Sequence, residues 1–212
     1  MLNELMLRKM LPNAGSRLDA HIPYILEALD EGNIKTPRRI AAFMAQVALE
    51  SREYLDMQEI WGPTEAQLGY EGRADLGNYK PGDGRRFAGH GPIQVTGRAN
   101  HKACGDALGL DLISEPLLLT MPEHGTRAAV WFWNRHNLSK LADVDWFKTI
   151  TRFINGAHTH LAERRAYWDR NRTLLGLPYV DTDREVTAIK DFQRTHGLAQ
   201  DGIVGSITLA ML

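Results

Sequence analysis

Three glutamates, Glu50, Glu53 and Glu59, stand close enough in the chain for paired-carboxyl chemistry, and the first lies where a carboxyl group is costly. Taking Phe43 as zero and stepping about 100° per residue, Val47 falls near 40° and Glu50 near −20°, so Glu50 shares the face that Ile40, Phe43 and Val47 turn to a core. Desolvation there disfavours the charged form and raises the pKa, which suits a group that hands a proton to a leaving oxygen. The alternative is a core carboxylate paired with an arginine. Glu53, three residues on, falls on a neighbouring face of the same helix, where it could touch Glu50 or the same arginine; a solvated surface position is its other reading. Glu59 differs. Nine residues of unbroken helix would carry it about 13 Å along the axis and half a turn round, so it faces Glu50 across a cleft only if the helix stops first. The run from Asp56 to Gly62 and Pro63 makes such a stop plausible. Two carboxyls across a cleft, one protonated and one ionised, are what hydrolysis of a glycosidic bond requires.

A second group of candidates lies in GDGRRFAGHGPIQVTGRAN. If Ile93 to Thr96 is a strand, Gln94 and Thr96 point to one face and Ile93 and Val95 to the other, so an amide and a hydroxyl stand together beside glycine-rich backbone. They can bind N-acetyl and hydroxyl groups, or simply form the wet face of a small sheet. Trp61 and Tyr70, in the loops around Glu59, are further candidate sugar contacts. Asn155 ends a helix in FINGAH and reads equally as a C-terminal cap. The glycines lack the GK[ST] ending of a phosphate loop, no GxSxG is present, and His158 and His160 with Glu163 carry no fuller ligand signature, so solvated loop histidines are the expectation. No cofactor or metal is implied.

The elements that position these residues read mainly as helices. Amphipathic spacing predicts helices over Leu2–Leu11 and Ser16–Glu31. Thr36 is an N-cap and Pro37 a first helical residue for the helix that carries Glu50 and fails near Asp56 to Gly62. Nine of the nineteen glycines fall between Gly62 and Gly97, a stretch of loops and turns around a short hairpin, with Phe87 to Thr96 its most strand-like part. Helices return over Arg98–Leu108 and Pro122–Arg135, the latter with Ala128, Val130, Trp131, Phe132 and Trp133 as core. Others run from Trp146 and Phe147 to Asn155 and from His160 to Leu175. Gly176, Pro178 and Asp181 to Asp183 make a linker to a final pair of helices around a DG turn.

At 212 residues and 43% apolar content the chain can bury one good core with a small appendage. A net charge of −1 without a basic run argues against nucleic acid. The single cysteine, Cys104, forms no internal disulfide and reads as a small buried apolar residue. The N-terminus does not resemble a secretory signal and no stretch is long enough to insert in a membrane.

The segments AAFMAQVALES, YEGRADLGN, GDGRRFAGHGPIQVTGRANH, AAVWFW and FINGAHTHLAERRAYW, in this order over Thr36 to Leu175, resemble the glycoside hydrolase family 19 chitinases, and more closely the bacteriophage endolysins of that group. The resemblance implies a predominantly helical, lysozyme-like α+β domain over 1–177, two-lobed, with a small β-hairpin and a central cleft. Its chemistry would be hydrolysis of β-1,4 bonds in N-acetylated glycans, here the glycan strands of bacterial peptidoglycan. It implies Glu50 as general acid and Glu59 as base or water-positioning group. Gln94, Thr96 and Asn155 match sugar-contacting positions, and Arg164 an arginine that joins the acidic cluster. The sequence departs from the family in three places. Leu49 replaces the usual histidine. His90 replaces an arginine, which changes subsite contacts or introduces a titration near pH 6.5, and GAHTH follows Asn155 where the family has more glycine. The remainder, 178–212, resembles half of a peptidoglycan-binding repeat, too short for a core of its own and expected to pack on the main domain. The combined expectation is a monomeric endolysin that accumulates in a host cytoplasm and reaches the wall after membrane permeabilisation. A chitinase and a wall-binding module without catalysis are the alternatives.

Overall fold

In the computed structural model, which describes residues 2–212, local capping signals set most helix boundaries. The Asn3 side chain accepts from Met6 N (3.0 Å) and opens α1 (Glu4–Met10). The helix expected over Ser16–Glu31 is instead a 3-10 stretch, Gly15–Ala20, followed by α2 (Ile22–Glu31), because Pro23 lacks the N–H that a continuous helix would use there. Thr36 caps α3 (Pro37–Glu50), its hydroxyl accepting from Arg39 N at 3.3 Å. The short α4 (Glu65–Leu68) and α5 (Asp83–Arg86) precede α6 (Arg98–Leu108) and α7 (Pro122–Arg135), whose limits coincide with those read from the sequence. Then come α8 (Leu138–Asp143), α9 (Phe147–Asn155), α10 (Leu161–Leu174), α11 (Glu185–Thr195) and α12 (Ser206–Met211).

The described residues are mostly helical and contain no β-strand. Where a hairpin was expected over Phe87–Thr96, only two isolated bridges form, Gln58 to His90 and His90 to Val95. The backbone explains this: Gly91 and Gln94 have φ of 75° and 56°, in the left-handed region, and Pro92 has no N–H, so no extended run develops. For the same reason the simple alternation of Gln94 and Thr96 fails.

Two compact units divide the chain: Met1–Asn33 with Val47–Phe132, and Ile34–Gln46 with Trp133–Leu212. The first is built on Leu7, Met10, Ile25, Leu29, Phe87 and Cys104, all buried. Burial pushes the Cys104 thiol up to about 12, so it is the inert apolar side chain expected. In the second unit Phe43 meets Trp133 edge-on at 5.4 Å and Phe147 stacks on Trp168 at 4.5 Å. Trp131 and Phe132, expected in the core, are half-buried.

The chain after α10 is fastened within the second unit. Buried Arg172 donates to Pro178 O from Nε (3.0 Å) and Nη2 (2.7 Å), and Arg165 Nη1 donates to Thr182 Oγ1 at 2.7 Å. Phe192 of α11 meets Trp146 edge-on at 5.6 Å, and Lys140 Nζ donates to Leu209 O of α12 at 3.2 Å. No described helix is long and apolar enough to cross a membrane.

Candidate active site

The turn that follows Glu50 is unusual and explains how Glu59 is delivered. Helix α3 stops at Glu50, six residues before Asp56, and Arg52, Glu53 and Tyr54 then take φ of 45°, 57° and 65°. Three successive left-handed residues without glycine are costly, roughly 1–2 kcal/mol each, and persist only where the surroundings hold them. Here Ser51 Oγ donates to Val47 O (2.7 Å) and accepts from Tyr54 N (2.9 Å), and Tyr54 is buried. Glu53, 1% exposed, accepts Asn13 N at 2.6 Å and Asn13 Nδ2 at 2.7 Å. Glu53 therefore does not lie on a second face of the Glu50 helix, as its spacing suggested. It clamps the turn to the N-terminal segment.

Beyond the turn, residues 57–59 run against 89–91. Gly91 N donates to Met57 O (2.8 Å), Glu59 N to Gly89 O (2.7 Å), and His90 pairs in both directions with Val95 (3.1 and 2.9 Å). Three donors converge on the half-buried Glu59 carboxylate. Oε1 accepts from Gln67 Nε2 at 3.0 Å and Tyr70 OH at 3.4 Å, and Oε2 from Gly89 N at 2.9 Å. Burial, then the neighbouring Glu59 charge, pushes the Tyr70 phenol up, so it stays protonated and able to donate. Gln94 sits beside this carboxylate's anchor: its Nε2 donates to Gly91 O (2.8 Å) and Asp56 O (3.2 Å), and a Cβ on Gly89 would come within 2.5 Å of Gln94 Oε1. A side chain at 89 would have to displace the Gln94 amide. Thr96 Oγ1 donates to Gln94 O at 3.0 Å, and Trp61 is half-buried two residues beyond Glu59.

Gln67 was not among the expected residues. Its buried amide donates to Glu59 and to Ile60 O (2.9 Å), and its oxygen accepts Gly62 N (3.1 Å) and Thr64 N (2.8 Å), while Thr64 Oγ1 accepts Gln67 N. This is a capping box for α4. The sequence signal was present in Thr64-Glu65-Ala66-Gln67, the T-x-x-Q pattern.

His90 is 1% exposed and lies 3.0 Å from His101, Nδ1 to Nε2; His101 Nδ1 is 2.9 Å from Gly97 O. Burial pushes both rings down to about 4. The titration near pH 6.5 expected of His90 is therefore absent, and both rings are neutral at pH 7.

Asn155 and Arg164 belong to the second unit, and there they share one carbonyl. Asn155 Nδ2 (3.1 Å) and Arg164 Nε (3.2 Å) both donate to Thr159 O, and Asn155 Oδ1 accepts Ala157 N at 2.9 Å. Asn155 thus orders the loop after α9, whose C-cap is Gly156. Arg164, 3% exposed, also donates from Nη1 to Gln46 Oε1 at 2.6 Å, and Gln46 Nε2 donates to Thr151 Oγ1 at 2.8 Å. Gln46 is the second residue the sequence reading missed. It is fully buried and precedes Glu50 by one turn of α3, a polar group on the apolar stripe just as Glu50 is. Glu50 itself is half-buried at the last position of α3.

The family profile described as class I chitinase, the glycoside hydrolase family 19 domain, matches residues 28–147, more than half of the chain. The chain belongs to glycoside hydrolase family 19. A peptidoglycan binding domain profile matches residues 185–212, the segment of α11 and α12. This family-19 chain is 33% identical over 125 residues to an endochitinase of Arabidopsis thaliana, covering 58% of the chain and 45% of the relative. It is 35% identical over 95 residues to a glycosyl hydrolase family 19 domain-containing protein of Haemophilus influenzae, covering 45% and 46%. The family-19 chain thus spans about half the length of these curated relatives. Chitinase C from Streptomyces griseus superposes with a TM-score of 0.66 at 25% identity, over 82% of this chain and 76% of that one.

Proposed function

We propose that this family-19 protein hydrolyses β-1,4 glycosidic bonds of bacterial peptidoglycan as a muramidase-type endolysin serving phage lysis of a host cell. The observation that carries the reading is the peptidoglycan-binding match of residues 185–212 on a chain whose preceding residues belong to a glycosidase family. Glu50, half-buried at the end of α3, is the general acid that protonates the leaving-group oxygen. Glu59, held at both oxygens by Gln67, Tyr70 and Gly89 N, activates the water on the opposite face, with inversion at the anomeric carbon. Gln94, Thr96, Trp61, Tyr70 and Asn155 contact sugars, with Arg164, Glu53 and His90 in support.

Mass spectrometry of fragments released from purified peptidoglycan and from chitin oligomers, offered in parallel, tests this. A reducing N-acetylmuramic acid end on peptidoglycan fragments is the expected product. Glu50→Gln and Glu59→Gln each lower release by about 10²–10⁴-fold, the usual share of general acid and base catalysis, with the fold retained. A folded, fully active Glu50→Gln would overturn the assignment. The second reading is a chitinase, favoured by the 33%-identical endochitinase; cleavage of chitin alone would establish it. Sedimentation with walls and no fragments from either polymer would mean a binding module.

A further inference from the structure

A groove separate from the Glu59 anchor opens within the first unit. Neither Glu59 nor any of its three donors borders it, whereas Gln58 and His90, opposite each other across an isolated bridge, do. Both line an open groove of about 750 Å³ whose wall is mainly apolar, with Pro116, Leu117, Leu118 and Met121. Small-molecule sites fall at roughly 300–1,000 Å³, mostly apolar with a few fixed polar groups.

The fixed polar group here is His90. Gly97 O can only accept, so His101 Nδ1 donates to it, His101 Nε2 accepts from His90 Nδ1, and His90 Nε2 is left as an acceptor. No described residue donates to that lone pair, although the side chain is 1% exposed. Two charges of opposite sign stand at the rim. Arg85 and Glu115 are both exposed, and neither side chain pairs with a described residue. Arg86 is engaged differently: its Nη2 donates to Ile113 O (3.0 Å) and Ser114 O (2.6 Å), which ties the groove wall to α5.

We propose that this groove binds the peptide arm of peptidoglycan, a short acyl peptide that presents an N–H to His90 Nε2, apolar side chains to the Pro116–Met121 wall, a carboxylate to Arg85 and the ammonium of a diamino acid to Glu115. The inference rests on the peptidoglycan reading above. A chitin chain carries no peptide and neither charge, so the groove would separate the two polymers. Gln58 and Glu59 are consecutive, about 3.3 Å apart along the chain. Three extended peptide residues span about 10 Å, enough to round that edge from a glycan held at Glu59.

Titration calorimetry of the full chain at low salt, with an N-acetylmuramyl tripeptide ending in lysine and with the dipeptide that lacks the lysine, tests the assignment. The tripeptide binds more tightly to the wild type. Arg85→Ala weakens both probes about two- to fivefold, the contribution of an exposed ion pair, and Glu115→Gln weakens only the tripeptide, bringing the two probes level. Both positions are exposed, so the fold is retained. Wild-type affinities in both variants, or no binding by the wild type, would overturn the groove. A separate arm isolates the underlying reading: cleavage of peptidoglycan stripped of its peptides, without tripeptide binding, sinks the groove alone. Cleavage of chitin oligomers only sinks the peptidoglycan reading and the groove with it.

Discussion

Glu59 in the first unit and Glu185 in the second are each held by several donors, but the donors differ in kind. Glu185, 5% exposed, accepts Lys148 N at 2.8 Å on one oxygen and Thr149 N at 2.7 Å on the other. Those amides belong to the first turn of α9, where no helical carbonyl is available to them, so a side chain from α11 completes the end of another helix. Burial pushes the Glu185 carboxyl up, and the bonds from Thr149 and Lys148 offset that only in part. Glu59 lies half-buried in a loop, with Oε1 held by the side chains of Gln67 and Tyr70 and Oε2 by Gly89 N. A carboxylate that caps a helix has both oxygens committed to backbone. Glu59 has one oxygen on backbone and the other on side chains, and it keeps an exposed side, as its proposed role as base requires.

The largest effect comes from removing a group that orients Glu59. Gln67→Leu takes away the nearer of the two Oε1 donors and leaves Gly62 N and Thr64 N without their acceptor. Misplacement of a catalytic group by about 1 Å costs on the order of 10² in rate. Initial rates on soluble peptidoglycan fragments should show a fall of that size in kcat, with KM changing less. A stable Gln67→Leu working at the wild-type rate would mean that Tyr70 and Gly89 N suffice and that the side-chain clamp is incidental.

The corresponding change in the other unit acts on stability. Glu185→Gln keeps one acceptor oxygen and turns an NH₂ group toward the second amide, which leaves a buried donor unsatisfied at about 1–3 kcal/mol. The pH dependence sharpens the comparison. Because the folded-state pKa of Glu185 is raised, the stability linked to its proton is fully present below the unfolded value of 4.5 and is lost as pH rises through the folded value. Urea unfolding of wild type and variant should therefore differ most below pH 4.5, the gap narrowing as pH rises. A gap that widens would show the hydrogen bonds overcoming desolvation.

How much of this was legible depended on how local its cause was. Thr36 with Pro37, and the apolar spacing of Arg98–Leu108 and Pro122–Arg135, act within a turn or two, and those elements lie where the sequence puts them. The left-handed turn at Arg52–Tyr54 was invisible because its support, Asn13 on Glu53, comes from 40 residues away. The candidate site shows the same division. Gln67 was marked by its capping box, whereas Gln46 was masked as one polar residue in an apolar stretch whose partners, Thr151 and Arg164, lie more than 100 residues on. Glycines 89, 91 and 97 announced turns in place of a strand, yet the pattern of β-branched residues between them outweighed that signal in the reading of Phe87–Thr96.

The smallest effect should come from the buried histidine pair, and its sign opposes that of Glu185. His90 and His101 are held near 4 by burial, against 6.5 for a free side chain, so between those values the unfolded chain binds more protons than the folded one. Stability linked to them is present above pH 6.5 and is lost as pH falls through about 4. Between pH 7 and 5.5 the loss should be about 1 kcal/mol for each histidine. His101→Gln keeps a donor for Gly97 O and an acceptor for His90 Nδ1 while removing one titrating ring, so it should remove about half of that acid slope in urea unfolding. An unchanged slope would show that the rings take up protons within the fold. The fixed Nε2 acceptor at the groove would then be lost on mild acidification, and the tripeptide affinity would fall over the same pH interval.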